Sequence, residues 1–255
     1  MKINLHTHTL RCGHGHSTDE EMVLAAIENG YTKLGFSDHT PFPYDNGYIN
    51  PTKMGMDELD GYIASVLSLK EKYKDQIEIL LGLECEWVPR FLPFLRETRA
   101  QMDYLIFGNH GDGSVGEPYA GELKTPEELE AYTQTAVDAM ESGLFLYMAH
   151  PDLMLYKYPG MDDAAEAICR QLCREANRLH VPLEYNTLGF FKKPKGGTLG
   201  YPCNAFWEIA AEENIRAVVG IDAHAAKHFA VSDFDGARNK LLGMGITVLD
   251  DPTLI

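Results

Sequence analysis

The chain of 255 residues lacks any apolar run approaching the roughly eighteen residues of a membrane-spanning helix, which excludes a helical membrane protein. Its opening segment, MKINLHTHTL, carries one lysine and then turns polar, without the apolar core of a secretory signal; the expected compartment is the cytoplasm. Positive charge is scarce. Lys and Arg number 22 against 38 Asp and Glu, a formal net charge of -16, and such a surface does not hold an extended nucleic acid, whose phosphates need clustered lysine and arginine. Cysteine is sparse and odd in number: Cys12, Cys85, Cys169, Cys173 and Cys203 imply thiols rather than a disulfide framework. Cys169 and Cys173 stand one helical turn apart with no histidine nearby, the pattern of a buried helix face. No internal repeat, linker or low-complexity tract divides the sequence, so one domain spanning 1–255 is expected.

Short apolar runs recur instead. Ile3 to Leu5, Lys33 to Phe36, Ile77 to Leu83, Tyr104 to Phe107, Leu144 to Met148, Val181 to Tyr185 and Arg216 to Ile221 read as buried parallel strands. Between them lie segments of helical spacing. Thr18 with Glu21 and Thr125 with Glu128 have capping-box spacing, Pro126 suits a first helical turn, and Gly30 and Gly143 suit helix ends. Further helices fit 91–101, 162–180, 204–214 and 232–243. The alternation predicts about seven βα units, compatible with a closed barrel or an open doubly wound sheet. A doubly wound sheet would ordinarily carry a glycine-rich phosphate loop after its first strand; this chain carries histidines there.

Potential metal ligands follow every expected strand but the sixth: His6 and His8, then His39, Glu84, His110 and His150, and finally Asp222 and His224, with His14 in the first loop. In a βα barrel the C-terminal strand ends converge, so residues remote in sequence meet there. His-x-His spacing also turns both rings to one face of an extended segment, as two ligands of one ion require. Nine nitrogen and oxygen donors exceed the needs of a single zinc or manganese ion, and two or three ions fit better. Clustered divalent ions suit phosphoester hydrolysis, and they would also reverse the negative field for an anionic substrate.

The segments HTHT, CGHG, GFSDHTPF, GLECEW, YLIFGNH, AHPDL, LEYN, YPCNAFWEIA and VVGIDAH resemble, in order, the PHP family, named for polymerase and histidinol phosphatase, and most closely its histidinol-phosphate phosphatases. The resemblance implies a distorted (βα)7 barrel with three divalent ions, zinc, manganese or iron. It places one ion on His6, His8, Glu84 and Asp222, a second on His110 and His150 with Glu84 bridging, and a third on His14, His39 and His224. The implied reaction belongs to histidine biosynthesis, with a metal-bridging hydroxide attacking the phosphorus of L-histidinol phosphate. Asp38 and Asp112 stand as candidates for protonating the leaving group or for orienting a ligating histidine. Family members usually hold the phosphate with arginines from the loops after strands five and six, where this chain has Lys157, Lys192, Lys193 and Lys195. Lysine binds phosphate as a point charge and lacks the guanidinium fork.

Three other readings share some of these features. A PHP phosphoesterase could act on another small monoester, a phosphodiester or an oligonucleotide. An amidohydrolase barrel also opens with His-x-His, though its bridging carbamylated lysine would stand where this chain has Glu84 or His110. A non-catalytic metal-binding protein would bind ions and hydrolyse nothing.

Overall fold

A computed structural model describes residues 2–45, 47–48, 50–111, 119–192 and 198–254. Its strands are β1 (Lys2–Asn4), β2 (Tyr31–Phe36), β3 (Glu78–Cys85), β4 (Tyr104–Gly108), β5 (Met148–Ala149), β6 (Leu183–Asn186), β7 (Arg216–Gly220) and β8 (Thr247–Val248). Its helices are α1 (Asp19–Glu28), α2 (Leu59–Lys72), α3 (Leu92–Arg99), α4 (Pro126–Glu141), α5 (Asp163–Arg178), α6 (Asn204–Glu212), α7 (His228–Val231) and α8 (Phe234–Gly243). Strands neighbour one another in chain order from β1 to β8, without the reversal of a doubly wound sheet. The class is α/β, with the strand succession of a βα barrel.

The residues group into two compact units, the first comprising Met1–Cys85, Pro89–Ile106 and Ile221–Ser232, the second Glu86–Val88, Phe107–Gly220 and Asp233–Ile255. Within the first, β1 to β3 pair in parallel, with Asn4 opposite Leu34 and Leu34 opposite Ile79. Tyr104 explains two glycines in these strands. Its hydroxyl lies 2.6 Å from the Leu5 carbonyl oxygen and 2.9 Å from that of Phe36. A Cβ at Gly35 would come within 2.3 Å of that hydroxyl, and one at Gly82 within 2.5 Å of the ring, so only glycine lets the phenol through. Asn4 accepts a hydrogen bond from the Ile221 N–H at 2.9 Å, and a parallel bridge joins Thr7 to Ala223. Those contacts bring the segment after β7 against the end of β1.

Within the second unit the pairs are parallel too, Phe107 with Met148, Met148 with Leu183, and Leu183 with Ala217. The capping boxes at Thr18 and Thr125 form as expected, and Gly30 and Gly143 take positive φ at helix ends. Cys169 and Cys173 lie buried on α5. Two expectations need correction. The apolar run from Leu144 supplies a strand only from Met148, because Phe145 is buried by packing on Phe107 and ladder pairing begins at the Tyr147 carbonyl. The two-residue β8, paired with Arg216 and Ala217, is not among the seven strands expected. The helix expected over 232–243 forms as α8, which starts at Phe234 after the Asp233 carboxylate accepts the Gly236 N–H.

Candidate metal centre

Strand ends of the first unit deliver His6, His8, His39 and Glu84, the first loop adds His14, and the segment after β7 adds Asp222 and His224. His6 and His8 are fully buried, and their Nε2 atoms are 3.1 Å apart. From His6 Nε2 the Glu84 carboxylate is at 3.4 Å and that of Asp222 at 3.5 Å; from His8 Nε2 both are at 3.3 Å. A tetrahedron of nitrogen and oxygen donors about 2.0–2.2 Å from a zinc-sized ion has edges of about 3.3–3.6 Å, which the four nitrogen–carboxylate distances match, with the two nitrogens slightly closer. The donor set fits a divalent metal.

Electrostatics point the same way. Burial opposes a charge on His8, yet the Asp222 and Glu84 carboxylates outweigh it and push its pKa up to about 9. Burial likewise opposes the Asp222 carboxylate, but the neighbouring His6 and His224 rings hold its pKa well below the ordinary value. Two buried carboxylates in contact with imidazoles form a pocket that favours positive charge.

Beside this group lies another. His39 Nδ1 is 3.1 Å from Glu84, while His14 Nε2 and His224 Nε2 are 2.9 Å apart. His14 Nδ1 faces the Cys12 carbonyl oxygen at 2.8 Å, and His224 Nδ1 faces that of Asp222 at 3.0 Å. A carbonyl oxygen only accepts, so in both rings the proton sits on Nδ1 and the Nε2 lone pair is presented. Desolvation, together with the facing His224, pushes the His14 pKa down to about 4. Asp222 adopts φ 54, a left-handed backbone unusual for aspartate, which sets its carbonyl toward His224.

Asp38 is wholly buried beside these ligands. Its oxygens accept the Thr9 N–H at 2.9 Å and the Thr9 hydroxyl at 2.7 Å, and one lies 3.9 Å from His8 Nδ1. Thr9 follows His8 directly, so Asp38 fixes the backbone that aims the ring.

In the second unit His110 and His150 meet, their Nε2 atoms 3.2 Å apart. His110 Nδ1 is 3.1 Å from a Glu86 carboxylate oxygen. His150 has φ 29, and its N–H donates to Glu184 at 3.1 Å, an oxygen that also accepts from the Asn186 amide at 3.0 Å. Nearby, buried Asp152 accepts from the Cys203 N–H at 2.6 Å and the Trp207 indole at 3.0 Å, and burial pushes its pKa up to about 6. Sequence reasoning missed Glu86 and Asp152 and left Glu184 without a role. Glu86 had a usable signal, its i, i+2 spacing from Glu84.

The candidate phosphate lysines fare differently. Lys157 pairs with Glu122 near the surface. The Lys192 ammonium sits 5.8 Å from the Tyr201 ring centroid, and that ring is 6.5 Å from His150. Lys193, Lys195 and Asp112 lie outside the described residues.

The model of the PHP domain matches residues 4–188. A Deinococcus radiodurans protein named "Probable histidinol-phosphatase" is 30% identical over 227 residues, covering 86% of this chain and 85% of that one. The Bacillus subtilis "Histidinol-phosphatase" is 23% identical over 257 residues, with 89% and 94% covered. Among solved structures, a Listeria monocytogenes chain superposes with TM-score 0.74 at 24% identity, over 89% of this chain and 97% of that one. Histidinol phosphate phosphatase from Lactococcus lactis, complexed with zinc, L-histidinol and phosphate, gives TM-score 0.71 at 20% identity, over 97% and 95%. Strand ends that carry imidazole and carboxylate donors, parallel βα succession and these matches have one explanation: the chain belongs to the PHP family.

Proposed function

We propose that the chain is a metal-dependent phosphomonoesterase that hydrolyses L-histidinol phosphate to L-histidinol and phosphate. The observation that carries this reading is the convergence of the His6, His8, Glu84 and Asp222 donor atoms at 3.1–3.5 Å. The names of the relatives and the ligands of the Lactococcus lactis structure support the substrate. In this reading the protein takes three divalent ions, zinc, manganese or iron. His6, His8, His14, His39, Glu84, Asp222 and His224 of the first unit, and His110 and His150 of the second, hold them. Bound there, such ions lower the pKa of water to about 7 and offset charge on the phosphoryl oxygens.

The protein's own groups orient and bind. Thr9 occupies both Asp38 oxygens, so Asp38 acts by positioning His8 rather than by passing a proton, and Asp112 is the remaining candidate to protonate the leaving alkoxide. Of the two described lysines Lys192 suits the phosphate better, since its ammonium lies over Tyr201 beside His150 while that of Lys157 is committed to Glu122; Lys193 and Lys195 stay candidates alongside it. The compartment is cytoplasmic and the pathway histidine biosynthesis.

Phosphate release from L-histidinol phosphate by the purified protein, with bound metal quantified, tests the proposal against a panel of other monoesters and diesters. A kcat/KM for L-histidinol phosphate far above the panel is the expected result. Even, weak rates across monoesters would withdraw the substrate, preferred cleavage of diesters would replace the reaction, and metal binding without hydrolysis would remove the enzyme.

A further inference from the structure

His110 differs from His14 and His224 in what receives its Nδ1 proton. Those two rings give theirs to main-chain carbonyls; His110 faces the side-chain carboxylate of Glu86 at 3.1 Å. Glu86 is 4% exposed, and both residues belong to the second unit. An ionised carboxylate accepts and does not donate, so the proton of the pair sits on His110 Nδ1 and the neutral ring keeps its lone pair on Nε2. That atom points at His150 Nε2, 3.2 Å away. A buried carboxylate on one side and a second imidazole on the other fix the ring in a single tautomer and a single orientation.

We propose that Glu86 is a positioning residue for metal binding by His110. By accepting the Nδ1 proton it turns Nε2 toward the ion and holds it there. The assignment rests on the metal-dependent reading above, though not on the substrate named there. It predicts selective damage: loss of Glu86 weakens the ion held by His110 and His150 and spares the ions on the first unit's ligands.

The test compares Glu86→Ala, Glu86→Gln and His110→Ala as full-length proteins, titrated with zinc and with cobalt. Metal equivalents are read by elemental analysis, and ligand field by the cobalt visible spectrum. Glu86→Ala is expected to weaken the same equivalent that His110→Ala loses, by about 10–100-fold, with the other equivalents at wild-type affinity. Glu86→Gln keeps an acceptor for the Nδ1 proton and should recover most of that affinity. Should Glu86→Ala fold poorly, long-range proton–nitrogen spectra of the zinc-loaded wild type report the His110 tautomer directly. Protonation at Nε2, or a Glu86→Ala protein with every equivalent at wild-type affinity, would overturn the assignment. A wild-type protein that binds no metal would overturn it together with the functional reading. One that binds metal but ignores L-histidinol phosphate costs only the substrate, and the metal equivalents still decide the role of Glu86.

Discussion

His14 and His224 face each other Nε2 to Nε2 at 2.9 Å while each gives its Nδ1 proton to a backbone carbonyl. Two lone pairs at that distance repel unless something electrophilic joins them. Two nitrogens at right angles about an ion some 2.05 Å from each are about 2.9 Å apart, so a divalent metal satisfies both.

From this pair follows the first prediction. Replacing His14 with Ala removes one donor from an exposed position, so the metal-free fold should be little affected. Elemental analysis should find a deficit in bound metal, and kcat/KM should drop by about 100-fold or more, a loss of at least about 2.7 kcal/mol of transition-state stabilisation. Full metal content with unchanged kinetics would remove His14 from the ligand set.

The metal-free protein should have a pH dependence set by His8. Its pKa in the folded chain, about 9, exceeds the ordinary 6.5 because of Asp222 and Glu84. A raised pKa means that the folded state binds the proton more tightly. The stabilisation is therefore complete below pH 6.5 and is lost as pH rises toward 9. Calorimetry in chelator should show Tm falling across that window, and the fall should shrink in His8→Asn. An equal fall in both proteins would exclude His8 as the source.

Packing gives a third prediction. Gly82→Ala forces a Cβ to within 2.5 Å of the Tyr104 ring, whose hydroxyl is committed to the Leu5 and Phe36 carbonyls. The ring cannot move without losing those bonds, and the overpacking should cost about 1–3 kcal/mol in urea unfolding. Pairing it with Tyr104→Phe should recover little, because the ring carbons are what the new methyl meets.

Kinetics separate the two described lysines. Lys192→Ala should raise KM with kcat nearly unchanged if its ammonium holds the phosphate, whereas Lys157→Ala, which breaks a surface pair with Glu122, should leave both constants close to wild type. A flat result at Lys192 would direct attention to Lys193 and Lys195.

The strand ends and the donors that follow them were legible because a short apolar run followed by histidine or acid has a recognisable pattern, seen at β1 with His6 and at β3 with Glu84. Glu86 was harder to read. A carboxylate that works by accepting a ring proton needs only reach, and its i, i+2 relation to Glu84 is also the ordinary spacing of a strand face. The left-handed backbone at His150 and Asp222 has no signature at all, since neither residue type demands positive φ; the surrounding hydrogen bonds impose it. Cancellation of Lys157 by Glu122, 35 positions earlier, likewise depends on tertiary contact.

The bond from Asn4 to Ile221 joins residues 217 positions apart, and the His6 and His8 donors meet Asp222 over nearly as long a span. On the ribosome, the His6 and His8 donors must therefore wait for more than 200 further residues before Asp222 emerges. An ion captured by the early histidines alone would be held by an incomplete set and exchange readily. Correct loading thus waits for the segment after β7, when metal supply and the arrival of Asp222 coincide.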